Sequence, residues 1–103
     1  MHLSHQRLKI LREFYEGQTR EFSGADIMRL TRLGSGSAYP ILVVFEERGI
    51  LQSRWEIEAA EALGRPRRRL YKLTELGAEV YRKAVADVVP SGYFVPPPRP
   101  SEA

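Results

Sequence analysis

At 103 residues, 43% of them hydrophobic and 28% charged, the chain has the composition of one soluble globular domain with a modest core and little room for an enclosed substrate pocket. It contains no cysteine, which excludes disulfides and thiolate metal sites and fits a reducing cytoplasm. No apolar run approaches the ~20 residues that would cross a bilayer. The net charge of +3 is unevenly spread: residues 1–64 carry eight Lys/Arg against nine Asp/Glu, residues 65–103 eight against four, so the positive excess is a localised patch.

The predicted elements follow from periodicity and punctuation. Ser4 caps a first helix to about Glu16, with Leu8, Leu11 and Tyr15 at helical spacing, Ile10 and Phe14 widening the stripe, and a left-handed Gly17 as its end. Ser23, with Asp26 three residues on, opens a short second helix that buries Ile27 and Leu30. Leu33 to Ser37 is turn chemistry. Ser35 or Ser37 caps a third helix reaching Arg48, with Pro40 confined to its first turn, Ala38, Ile41, Leu42 and Phe45 as core stripe, and Gly49 as stop.

Leu51 to Ile57 alternates as a strand, placing Leu51, Ser53, Trp55 and Ile57 on one face. Arg69 to Leu73 alternates too, with Tyr71 and Leu73 inward and Trp55 expected beside Tyr71. The intervening residues, about Glu58 to Arg68, make a long hairpin connection with a mobile tip. Thr74 caps a fourth helix to about Val88, with Leu76, Val80, Tyr81 and Ala84 as its apolar positions, and Pro90 stops it. The expected fold class is mainly α (α+β): a winged helix-turn-helix with a two-stranded β wing and a C-terminal helix. Residues 1–89 form that domain and 90–103 a proline-rich, disordered tail, where Tyr93 and Phe94 offer a docking element.

Two stretches resemble the signatures of the PadR family. Gly36-Ser37-Ala38-Tyr39-Pro40-Ile41-Leu42-Val43-Val44-Phe45-Glu46-Glu47-Arg48-Gly49-Ile50-Leu51 is similar to "YP-x-L…LE-x-x-G-x-I/L". Arg67-Arg68-Arg69-Leu70-Tyr71-Lys72-Leu73-Thr74-Glu75-Leu76-Gly77 is similar to "R-R/K-x-Y-x-L-T-x-x-G". The resemblance spans roughly residues 5–86. It implies a cytoplasmic, homodimeric transcriptional regulator, usually a repressor, that binds double-stranded DNA and pairs through its first and fourth helices. Val43 and Val44 stand where many members carry polar residues in the third helix, Val44 being expected on the outward side. The absence of a longer C-terminal region points to a short subgroup.

Arg65, Arg67, Arg68 and Arg69 sit at the return side of the wing, where guanidinium groups fork onto phosphate oxygens. Ser35, Ser37 and Tyr39 begin the third helix, whose hydroxyls and amides suit phosphates or base edges. The serines suit capping equally, and Tyr39 core packing. Arg29 and Arg32, on the second helix and the turn after it, are candidate backbone clamps. Trp55 reads as core against Tyr71 rather than a stacking platform for a ligand, and Glu46 and Glu47 as a helix's solvated end. His2 and His5 lack the partners for a metal site, no cofactor is indicated, and no residue set points to an enzyme. A small-molecule effector has room but no signal. The alternative to DNA binding is a protein-interaction module using Val43, Val44 and the tail.

Overall fold

The computed structural model describes residues 3–88. The expected tail, with Tyr93 and Phe94, lies outside them, as does His2. Helix α1 (His5–Glu16) begins where the Ser4 hydroxyl accepts the Arg7 N–H at 3.2 Å, and it buries Ile10, Leu11, Phe14 and Tyr15. Its end differs from expectation. Gly17 stays right-handed at φ −76°, and Gln18 takes the left-handed turn at φ 60°. Gly17 is required for closeness instead, because a Cβ there would lie 2.6 Å from the Phe22 ring.

Phe22–Ser23 form strand β1, which the sequence does not announce; two residues are too short for an alternating pattern to register. The Phe22 ring meets Phe14 edge-on, centroids 5.4 Å apart. Ser23 then caps α2 (Gly24–Thr31), and its capping box with Asp26 is complete at 3.0 and 3.1 Å. Arg32 turns left-handed, φ 63°, to end that helix.

Helix α3 (Ser35–Glu47) is capped by Gly34 and by neither expected serine. Pro40 lies at its sixth residue, past the first turn. The proline withholds an N–H from the Gly36 carbonyl, which is tolerated because Gly36 is exposed and water can replace the donor. Ala38, Ile41, Leu42 and Phe45 are buried as the stripe predicts. Gly49, φ 74°, makes the left-handed stop.

Strands β2 (Leu51–Trp55) and β3 (Arg69–Leu73) form the wing, with a one-turn helix α4 (Ala60–Leu63) in the connection expected to be loose. The sheet has three antiparallel strands in the order β1-β3-β2. The register places Ser53 opposite Tyr71 and Trp55 opposite Arg69, so the expected Trp55–Tyr71 pairing does not form. Leu51 is buried, but the ribbon runs past the helices beyond Ser53. Trp55 is therefore 55% exposed and Ile57 81%, although they continue the inward face. Alternation set the face; the size of the core decided how far along the strand that face is covered.

Helix α5 (Glu75–Val88) starts at Thr74, whose hydroxyl accepts the Gly77 N–H at 3.0 Å and donates to the Gly49 carbonyl at 2.6 Å, with the Ile50 carbonyl at 3.0 Å. Its buried residues are Gly77, Ala78 and Tyr81, with Val80 and Val85 packed partly against the core. Leu76, expected inside, is half exposed. The helix is rotated so that Gly77 presses on Ile50, and the Tyr81 ring stacks on Tyr15 at 4.4 Å.

That contact makes Gly77→Ala a test of the packing. In an open helix the change would stabilise by about 1 kcal/mol. Here the new methyl would run into the Ile50 carbonyl oxygen and come within 2.6 Å of Leu73 Cδ1. The carbonyl cannot retreat without breaking its bonds to Thr74. Overpacking of about 1–3 kcal/mol should win, and chemical denaturation should show a net loss of stability for G77A.

Candidate nucleic-acid interface

The first turn of α2, helix α3 and the wing enclose an open cleft of ≈ 380 Å³. Ser23, Gly24 and Ala25 form one end, Tyr39 a wall, and Trp55, Arg67, Arg68, Arg69 and Tyr71 the wing side. Tyr39 reaches this place because Gly24 has no side chain: a Cβ there would stand 2.6 Å from the tyrosine ring. Tyr39 thus packs against α2 and still offers 43% of its surface. Tyr71 is buried, and loss of solvent raises its hydroxyl pKa above the usual value.

The four wing arginines are not equivalent. Arg65 grips Glu56 with both Nη atoms, at 2.7 and 3.0 Å, and Glu56 also accepts the Arg68 backbone N–H at 2.8 Å. The hydrogen bonds from Arg65 and then from Arg68 N–H hold the Glu56 carboxyl down to about 2. Arg67 donates Nε–H to the Glu58 carbonyl at 3.0 Å. Arg69 donates to Ser53 Oγ at 2.8 Å and Glu46 at 3.2 Å, with its guanidinium 5.3 Å from the Trp55 ring centroid. Among the described residues the Arg68 guanidinium has no hydrogen bond or ion pair.

The structure therefore gathers Tyr39, Arg67, Arg68 and Arg69 around one cleft and leaves Arg65 behind it as part of a clasp. Arg29 lies elsewhere. It pairs with Asp26 at 3.2 Å beside a second recess shared with Arg20, Glu13 and Glu16. Arg32 is exposed just ahead of α3. Ser35 is exposed and Ser37 half-buried on the first turn of α3, and no side chain caps that turn. Of the two valines, Val43 is the outward one at 49% exposure, whereas Val44 is half-buried, reversing the expected emphasis.

The partners of these arginines were not legible beforehand. Glu46 is no free helix end: it accepts the Ser53 hydroxyl and the Arg69 guanidinium, and those two bonds hold its pKa below the ordinary value. Glu56 had no assigned role, nor did Glu21, which pairs with Arg54 through two contacts of 2.7 Å. These pairs depend on strand register and helix–strand docking, for which residue spacing carries no signal.

Residues 21–83 match the family model described as the transcriptional regulator PadR-like family. Among solved structures, a PadR family transcriptional regulator from Eggerthella lenta DSM 2243 is 21% identical, with a TM-score of 0.65 over 80% of this chain and 70% of that one. A PadR family transcription regulator from Clostridium difficile R20291 is 20% identical, with a TM-score of 0.66 over 82% and 86%. Bacillus subtilis PadR, solved in complex with operator DNA, is 19% identical, with a TM-score of 0.66 over 88% of this chain and 53% of that chain. At these identities the likeness establishes a shared winged-helix fold. No curated protein matches the sequence.

The Glu56 clasp carries its own pH signature. A carboxyl whose pKa is depressed in the folded chain stabilises above its ordinary value near 4.5, and that contribution is lost as pH falls through about 2. Amide exchange should show the Arg68 N–H protected at neutral pH and progressively released between these limits. In Glu56→Gln the same amide should exchange severalfold faster at pH 7, with protection in α1 and α3 unchanged.

Proposed function

This chain belongs to the PadR-like family of transcriptional regulators, and from that premise we propose that it binds double-stranded DNA as a homodimer and represses transcription from a roughly palindromic operator. Helix α3 enters the major groove, its N-terminal end foremost. The wing takes the flanking phosphates or the adjacent minor groove. In a dimer the two recognition helices lie about 34–36 Å apart, one turn of B-DNA. The pairing surface is α1 and α5, where His5, Leu8, Lys9, Arg12 and Tyr81 line a separate shallow recess that shares no residue with the cleft.

The observation that carries this reading is the cleft itself. Wing arginines, Tyr39 of α3 and the start of α2 share one surface, and among the described residues the Arg68 guanidinium makes no hydrogen bond or ion pair, feeling only the nearby Glu56 charge. Arg67 and Arg68 supply fixed charge to phosphate. Arg32 and Arg29 clamp the backbone on the other side of α3, Arg29 by exchanging its exposed ion pair with Asp26 for a phosphate. Exposed pairs of this kind contribute little on their own, about 0–1 kcal/mol, so the exchange is inexpensive. Ser35, Ser37 and the uncapped amides of the first turn meet phosphate or base edges, with Tyr39 beside them. Arg65 shapes the wing through Glu56 rather than reaching DNA. The solved complex of the Bacillus subtilis relative with operator DNA supports the nucleic-acid reading. A protein-docking surface on Val43 and Val44 has less to stand on, because only Val43 is well exposed.

The test is a mobility shift with the duplex immediately upstream of its own gene, at low and moderate salt. Binding at low salt that falls steeply with added salt is the expected result; no shift at either would overturn the reading. Arg68→Ala should weaken binding to every sequence and reduce the slope of log K against log salt by about 0.9. An unchanged slope would remove Arg68 from the phosphate contacts.

A further inference from the structure

Glu46 is in an unexpected place for a DNA-binding surface. It sits in the last turn of α3, where the negative end of the helix disfavours a carboxylate, and beside a wing whose task calls for positive charge. Its contacts explain it. The carboxylate accepts the Ser53 hydroxyl of β2, and Arg69 of β3 donates to both Ser53 Oγ at 2.8 Å and Glu46 at 3.2 Å. One helix and both wing strands therefore meet at Ser53. Beyond this point the ribbon leaves the core, and a two-stranded ribbon alone is at best marginally stable in water. Arg69 also lies against Trp55, the next residue past that point on the same face of β2.

We propose that Glu46, Ser53 and Arg69 form a strut that sets the angle of the wing relative to α3, and that Arg69 is a positioning residue acting through Trp55 rather than a phosphate ligand. This rests on the DNA-binding reading of the same surface. Arg69 spends its Nε and one Nη on Ser53 and Glu46 and a face on Trp55, so the side-on fork of its guanidinium and much of its charge are already committed within the protein. Arg68, one residue earlier, has no such ties. Adjacent arginines thus do different work: one meets the nucleic acid and the next aims it. On the other face of the ribbon, Glu21 and Arg54 brace the strands in the same manner.

Charge counting and the strut make opposite forecasts. If Glu46 were only a negative charge near DNA, Glu46→Gln would tighten binding. If it anchors the wing, Glu46→Gln should weaken binding to the upstream duplex about fivefold, the loss of roughly one hydrogen-bonded contact. Trp55 is the only tryptophan in the chain and reports on the wing without DNA. Acrylamide quenching of the free protein should rise in Glu46→Gln, Arg69→Gln and Ser53→Ala. The double variant of Glu46→Gln with Arg69→Gln should be no worse than either single change. Arg69→Gln should keep the parental salt slope, in contrast to Arg68→Ala. A slope reduced as in Arg68→Ala, unchanged quenching, or tighter binding by Glu46→Gln would each overturn the strut. Failure of the parent protein to bind DNA would overturn the functional reading instead, and the quenching series would still decide the strut.

Discussion

The carbonyl of Ile50 accepts the Thr74 N–H at 3.1 Å, the Thr74 hydroxyl donates to the neighbouring Gly49 carbonyl at 2.6 Å with the Ile50 carbonyl a longer second contact at 3.0 Å, and Gly77 lies against Ile50 from above. Four elements meet in that small volume: the turn after α3, the start of β2, the end of β3 and the first turn of α5. The wing is thereby anchored at its base to α3 on one side and to α5 on the other. Any motion of α5 is felt by the ribbon, and any rotation of the ribbon must work against two hydrogen bonds and a close backbone contact. A side chain at position 77 would push these parts away from each other, which is why the residue following Leu76 has none.

From that base the ribbon extends beyond the helices, and packing gives way to polar ties. Leu51, Tyr71 and Leu73 are held by burial. Further out, Ser53 and Arg69 are held by Glu46, and Arg54 by Glu21. At the tip Glu56 closes the connection by binding Arg65 and the Arg68 amide. Each tie is partly exposed and individually modest, so salt screens it. The outer wing is accordingly the part whose orientation should respond to ionic conditions, while its base should not.

The same gradient sorts the arginine run. Four residues that look alike in the sequence carry the same charge but differ in what already occupies their donors. Arg65 and Arg69 neutralise carboxylates of the protein itself, Arg67 bonds one carbonyl, and the Arg68 guanidinium has no hydrogen bond or ion pair among the described residues. A count of positive charges therefore overstates the charge that the wing leaves uncompensated. The net field of the wing is set by arginine minus glutamate, and the glutamates, Glu46 and Glu56, come from outside the run.

Local chemistry was enough to read most of the fold. The Ser4, Ser23 and Thr74 caps, the buried stripe of α3, the Gly49 stop and the two long wing strands follow from side-chain geometry within a few residues, and they define a winged helix. The paired motifs at residues 36–51 and 67–77 carried the family, which the match over residues 21–83 bears out. Tertiary structure decided what no local pattern encodes. It recruited Phe22–Ser23 as a third strand, put Trp55 into solvent opposite Arg69, turned Leu76 outward, and joined Glu46 and Glu56 to arginines 23 and nine residues away. Spacing determines which face a residue shares; only the docking of helix on sheet determines where that face ends and which charges meet across it.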